Sequence, residues 1–161
     1  MPQLRVNGID LSYTDQGTGP PVVFVHGAWM DLRYWEPQRQ AIAMQYRFLA
    51  YTQRYHGTAP WPDAGQQDAA ATHAADLVAF LRQLHPGPVH LVGLSSGGRL
   101  VTLVALPHPD VVRSLTALWT TCWSTTLRPA DLFGKRASFA GPRRSTDEGV
   151  DEPQRRLPRQ R

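Results

Sequence analysis

The sequence predicts an α/β protein built on a mostly parallel, doubly wound sheet that a β-hairpin introduces. Three observations carry this. Short, continuous apolar runs, Val22-Val23-Phe24-Val25 and Val89-His90-Leu91-Val92, suit strands buried on both faces. Between them, Gln67 to Leu84 carries apolar residues at Leu77, Val78, Phe80, Leu81 and Leu84, which is helical spacing. Strands alternating with helices in this way indicate βαβ units.

The elements follow in order. Leu4 to Tyr13 alternates apolar and polar residues around Asn7-Gly8, the signal for a tight hairpin. Gly17-Thr18-Gly19-Pro20-Pro21 is a loop, and Val22–Val25 is the first buried strand. Tyr46–Tyr51 is a further strand candidate. The helix ending at Leu84 is stopped by Pro86-Gly87-Pro88. After the strand at Val89–Val92, Gly98 to Leu106 reads as helix, ended by Pro107 and Pro109, and Val111 to Leu118 begins one more strand. From Trp119 the pattern loses its period. Residues 1–118 are therefore read as a partial core and 119–161 as an irregular, disordered basic tail.

Composition narrows the function classes. With 161 residues and 42% hydrophobic content, one domain with a real core is expected. No stretch approaches the roughly 18 apolar residues of a membrane span. The start, Met1-Pro2-Gln3-Leu4-Arg5, lacks a signal-peptide layout, and a single cysteine, Cys122, excludes a disulfide framework or a cysteine-rich metal site, so a cytoplasmic setting is expected. The net charge of +4 has one source. Residues 1–127 hold eight arginines and eight acids, whereas 128–161 hold nine basic and five acidic residues. A basic end can bind polyanions, but it reads more simply as solvated, and no nucleic-acid partner is expected. No metal cluster, phosphate loop or dinucleotide fingerprint appears, so no cofactor is expected.

The strongest chemical signal is Gly93-Leu94-Ser95-Ser96-Gly97-Gly98, a G-x-S-x-G pattern standing after a buried strand and before a helix. Glycines at 93 and 97 remove side chains that would collide in a sharp strand-to-helix turn. Such a turn projects the serine hydroxyl and places helix N-terminal amides near a developing oxyanion. Ser95 is thus the candidate nucleophile and Ser96 a backbone donor. The second signal is His26-Gly27-Ala28 after the first buried strand. Gly27 permits a tight turn, Ala28 offers a second amide, and His26 braces the loop.

These motifs, with the opening hairpin and Ala105 to Leu115, resemble the α/β-hydrolase superfamily, in the branch of small serine esterases, lipases and cofactor-free haloperoxidases. The resemblance spans roughly residues 4 to 118 and implies a truncated α/β-hydrolase fold. It also implies Ser95 as nucleophile and the amides of Ala28 and Ser96 as the oxyanion hole. A serine at 95 argues against epoxide hydrolases and dehalogenases, which place aspartate there. The stretch from Tyr51 to Pro60 departs from the family's Asp-x-Arg-Gly-x-Gly-x-Ser loop, matched only loosely by Arg54 and Gly57. His56, within it, is read as an ordinary loop histidine.

The triad order of this fold is serine, then acid, then histidine. Of six histidines only His108 follows Ser95, beyond the helix that Ser95 opens, roughly 15 Å away at 1.5 Å per residue. A base must come within about 3 Å. The expectation is therefore a hydrolase scaffold for a small ester-like substrate with impaired turnover, its later part lost or shifted in reading frame. The alternative is an inactive ligand-binding module or a truncated pseudoenzyme. A sheet ending at the sixth strand would also expose an apolar edge open to self-association.

Overall fold

A computed structural model describes residues 1–58, 60–61, 63–84, 87–119 and 123–127. The elements are β1 (Gln3–Val6), β2 (Ile9–Gln16), β3 (Pro21–Val25), a 3-10 turn at Leu32–Trp35, α1 (Glu36–Ala43), β4 (Arg47–Tyr51), α2 (Ala70–Leu84), β5 (Val89–Leu94), α3 (Ser96–Ala105), β6 (Val112–Trp119) and β7 (Trp123–Leu127). They form one seven-stranded sheet in the order β1-β2-β4-β3-β5-β6-β7. The centre, β4-β3-β5-β6, is parallel, and antiparallel pairs close both margins.

The hairpin turns where expected. Asn7 and Gly8 both take positive φ, 45° and 83°, as a two-residue turn matched to strand twist requires. In β3, alternate residues serve opposite faces. Val23 and Val25 join a cluster with Leu77, Leu81, Leu100 and Val101 of α2 and α3. Val22 and Phe24 join Leu32, Trp35 and Phe48 on the face that α1 covers. The continuous apolar run thus reflects two buried faces. The α2–α3 face holds most of the core, and at roughly 1.5–3 kcal/mol per buried large side chain it dominates stabilisation.

The second face is covered unevenly. Phe24, Phe48 and Ala50 are buried there, but Val92, Leu94 and Leu118 of β5 and β6 are only half-buried among the described residues.

Three differences from the sequence reading stand out. Helix α1 was not expected. Its only apolar residues packed on the core are Ile42 and Ala43, partly buried, which is too weak a stripe to read. Helix α3 begins at Ser96 rather than Gly98, because the two glycines lie inside the helix and pack on β3 and β5. The stretch 119–161 is not wholly irregular, and the sheet does not stop at its sixth strand. Instead β7 pairs antiparallel with β6, from Trp119↔Trp123 to Leu115↔Leu127. Its Trp-Ser-Thr-Thr-Leu sequence has β-forming residues but no alternation, so the strand owes its place to the ladder that β6 offers. The expected tail over 128–161 lies outside the described residues. No described helix is long and apolar enough to cross a membrane.

Candidate active site

Ser95 stands alone between β5 and α3, with φ +53° and ψ −118°. A left-handed, non-glycine residue here is strained and must be held by its surroundings. Its own amide donates to the carbonyl of Leu118 in β6 at 2.7 Å, and its carbonyl accepts from Arg99 at 3.2 Å. The glycines explain why the turn closes. A side chain on Gly93 would collide with the Gly97 carbonyl, and one on Gly97 would strike the carbonyls of Val25 and His26 at the end of β3. Gly97 thus lets α3 sit directly on the next strand's end. Gly27 is the other half of the contact. A Cβ there would lie 3.3 Å from the Cβ of Ser95 and 3.3 Å from the Leu94 carbonyl.

The structure therefore brings the elbow and the His26–Gly27 loop into contact. The amides of Ala28 and Ser96 make no hydrogen bond among the described residues, and no side chain caps α3. Helix N-terminal amides left open in this way are positive and available to an anion.

His26 is fully buried and braces the loop. Its Nδ1–H donates to the Gly27 carbonyl at 2.8 Å, while Nε2 accepts from the Gln53 amide at 3.0 Å. Burial, opposed by the bond to Gly27, pushes its imidazole down to about 4. With both nitrogens occupied and its basicity low, His26 is a brace and not a base. The side-chain amide of Gln53 donates to the His26 carbonyl at 2.7 Å, closing the loop from the β4 side.

Sequence reasoning missed what anchors Gln53. Its neighbour Arg54 makes a buried, two-pronged ion pair with Asp76 of α2, at 2.8 and 3.0 Å, each side chain only 2% exposed. Asn7 in the hairpin turn donates to the same carboxylate at 2.9 Å. In the sequence Arg54 shows only a loose match to a family loop, and the Asp76 carboxylate, buried on α2 with His73, carries no local pattern that pairs it with Arg54.

Ala28 and Ser96 open onto a cleft of about 700 Å³ whose walls include Trp29, His56, His73, Arg99 and Leu103. Ser95 is half-buried beside the cleft, its side chain against Gly27, and forms no part of the wall. His56, read as an ordinary loop histidine, does line the cleft. Its Nδ1–H donates to the Arg54 carbonyl at 2.8 Å, and its ring lies 5.0 Å from that of His26. Two further strained residues, Trp29 and Tyr55, both at φ +61°, sit in the same wall. A second cavity of about 620 Å³, on the hairpin side of the 52–61 loop, contains none of Ala28, Ser95 or Ser96. His108 lies in the turn after α3, its amide bonded to the Val104 carbonyl. Among the described residues there is no cluster of three or more His, Cys, Asp or Glu that could hold a metal ion.

Comparison with known proteins agrees with this architecture. The alpha/beta hydrolase fold family matches residues 20–145. A 2-(acetamidomethylene)succinate hydrolase of Mesorhizobium japonicum is 32% identical over 116 residues, covering 72% of this chain and 41% of its own length. An epoxide hydrolase of Caballeronia sordidicola is 33% identical over 117 residues, covering 71% and 35%. The crystal structure of a Vigna radiata epoxide hydrolase superposes with a TM-score of 0.66 at 27% identity, over 70% of this chain and 37% of the other. The chain thus spans about two fifths of the length of these relatives, and the stretch matched by the family extends past Leu118, where the motifs end. With the strand order, the glycine-lined turn and the matched residues in agreement, the chain belongs to the alpha/beta hydrolase fold family.

Proposed function

We propose that this hydrolase scaffold carries the nucleophile half of a serine hydrolase site for small esters and related acyl compounds. The observation that supports it is the strained Ser95, packed on Gly27 and flanked by the undonated amides of Ala28 and Ser96. In this reading Ser95 Oγ adds to the carbonyl carbon. The carbonyl electron pair moves to oxygen, where the two amides hold it. Collapse breaks the bond to the alkoxide, which leaves with its electron pair, and the serine proton passes to solvent water. Water then cleaves the acyl-serine by the same route.

Among the relatives, one is named a hydrolase of 2-(acetamidomethylene)succinate, and others are epoxide hydrolases. The serine at 95 favours acyl chemistry over epoxide opening. The single cysteine fits a cytoplasmic setting. Among the described residues no base is assigned, since His56 and His73, which line the cleft, are held by the Arg54 carbonyl and by Asp68. His26 is committed, and His108 lies beyond α3. If Ser95 acts without a base, turnover is slow, with about 10³–10⁴-fold acceleration over water, as when a triad member is removed.

A fluorophosphonate probe tests both parts. Slow labelling that Ser95→Ala abolishes is expected. Labelling of a different residue would remove the nucleophile assignment, and labelling as fast as an intact serine hydrolase would remove the missing-base argument. An elbow serine with no base assigned among the described residues favours one rival, an inactive ligand-binding module. It predicts ligand binding without acylation of Ser95.

A further inference from the structure

The charged residues of the cleft wall fall into two groups. Asp31 and Arg33 satisfy one another through three side-chain bonds of 2.5–3.0 Å. Asp68 is engaged by His73 Nε2 at 2.9 Å. Arg99 is different. It lines the cleft, is exposed, and has no ion-pair or side-chain hydrogen-bond partner among the described residues. It stands on the first turn of α3, and its amide bonds the Ser95 carbonyl at 3.2 Å. The guanidinium therefore arises one helical turn from the candidate nucleophile, on the same wall as Ser96, with Leu100 and Leu103 beside it. A guanidinium presents its donors as a fork that fits a carboxylate with two parallel bonds.

We infer that Arg99 anchors a carboxylate on the substrate, so that the cleft selects acyl compounds carrying a free carboxyl group a few carbons from the scissile carbonyl. This rests on the serine hydrolase reading for the reaction and on the cleft alone for the binding. Leu100 and Leu103 cover the methylenes between the two ends, while Arg99 fixes the distance between carboxylate and acyl carbon. Because Arg99 is exposed, the preference weakens as salt screens it.

The test compares nitrophenolate release by the full chain from mono-4-nitrophenyl adipate and from 4-nitrophenyl hexanoate, esters of equal acyl length. The adipate ester is expected to acylate Ser95 faster. The adipate-to-hexanoate rate ratio should fall about tenfold in Arg99→Gln, the size of a lost charge-assisted pair, be partly retained in Arg99→Lys, and shrink at high salt. A ratio that Arg99→Gln leaves within twofold of wild type overturns the inference. If neither ester releases nitrophenolate, the nucleophile reading fails, and adipate binding to Ser95→Ala by calorimetry decides the anchor separately. Binding that Arg99→Gln removes supports it, and no binding, or binding indifferent to Arg99, overturns it.

Discussion

A histidine with no acid–base role still leaves a signature. His26 titrates near 4 in the folded chain and at its ordinary 6.5 when unfolded, so between these values the unfolded state binds the extra proton. Stability then rises with pH through that window, is full above about 6.5, and falls on acidification. At 1.36 kcal/mol per unit the loss by pH 4 is about 3 kcal/mol. Urea unfolding between pH 4 and 7 should show this slope, and His26→Gln should flatten it. An equal slope in that variant would mean that other groups set it. His90, half-buried and also lowered by burial, adds in the same direction. At this scale the site was half legible. Glycine and serine spacing revealed Ser95, Gly93, Gly97 and the His26–Gly27 turn, because steric demands of a sharp turn are written locally. Gln53 and Asp76 were not legible, since a hydrogen bond between residues 27 or 22 positions apart leaves no local pattern.

The elements meet at the Arg54–Asp76 pair. It ties the loop after β4 to α2, and through Asn7 it ties both to the hairpin. Asp76→Ala leaves a guanidinium buried without its partner and is expected to cost about 3–5 kcal/mol, read as a lower urea midpoint at unchanged slope. Replacing both partners, Arg54→Met with Asp76→Leu, should recover most of that loss. A double variant as unstable as the single one would show that the pair itself, and not the unpaired charge, supplies the stability. The strands were legible because β3 and β5 are buried on both sides and β1–β2 alternate around Asn7-Gly8. Helix α1, with two apolar contacts, and β7, with no alternation, were not, because neighbours rather than their own sequence decide their structure.

The whole sheet has two margins, and β7 is one of them. Among the described residues its outer edge is unpaired, and beside it Val92, Leu94 and Leu118 are only half covered. We propose that the chain self-associates along this margin, since an open edge next to apolar surface recruits another strand. Sedimentation should give a concentration-dependent mass, and Thr125→Lys should shift it towards monomer. A monomer at all concentrations would refute this. Strand order also sets a schedule for synthesis. β3 lies between β4 and β5, and β5 ends at Leu94, 69 positions after Val25. At 5–20 residues per second a ribosome needs roughly 3–14 s to deliver it. During that interval the apolar run Val22–Val25 has one flank without a neighbour. The nascent chain therefore emerges first as an incomplete sheet, at the strand on whose end the Ser95 turn later packs.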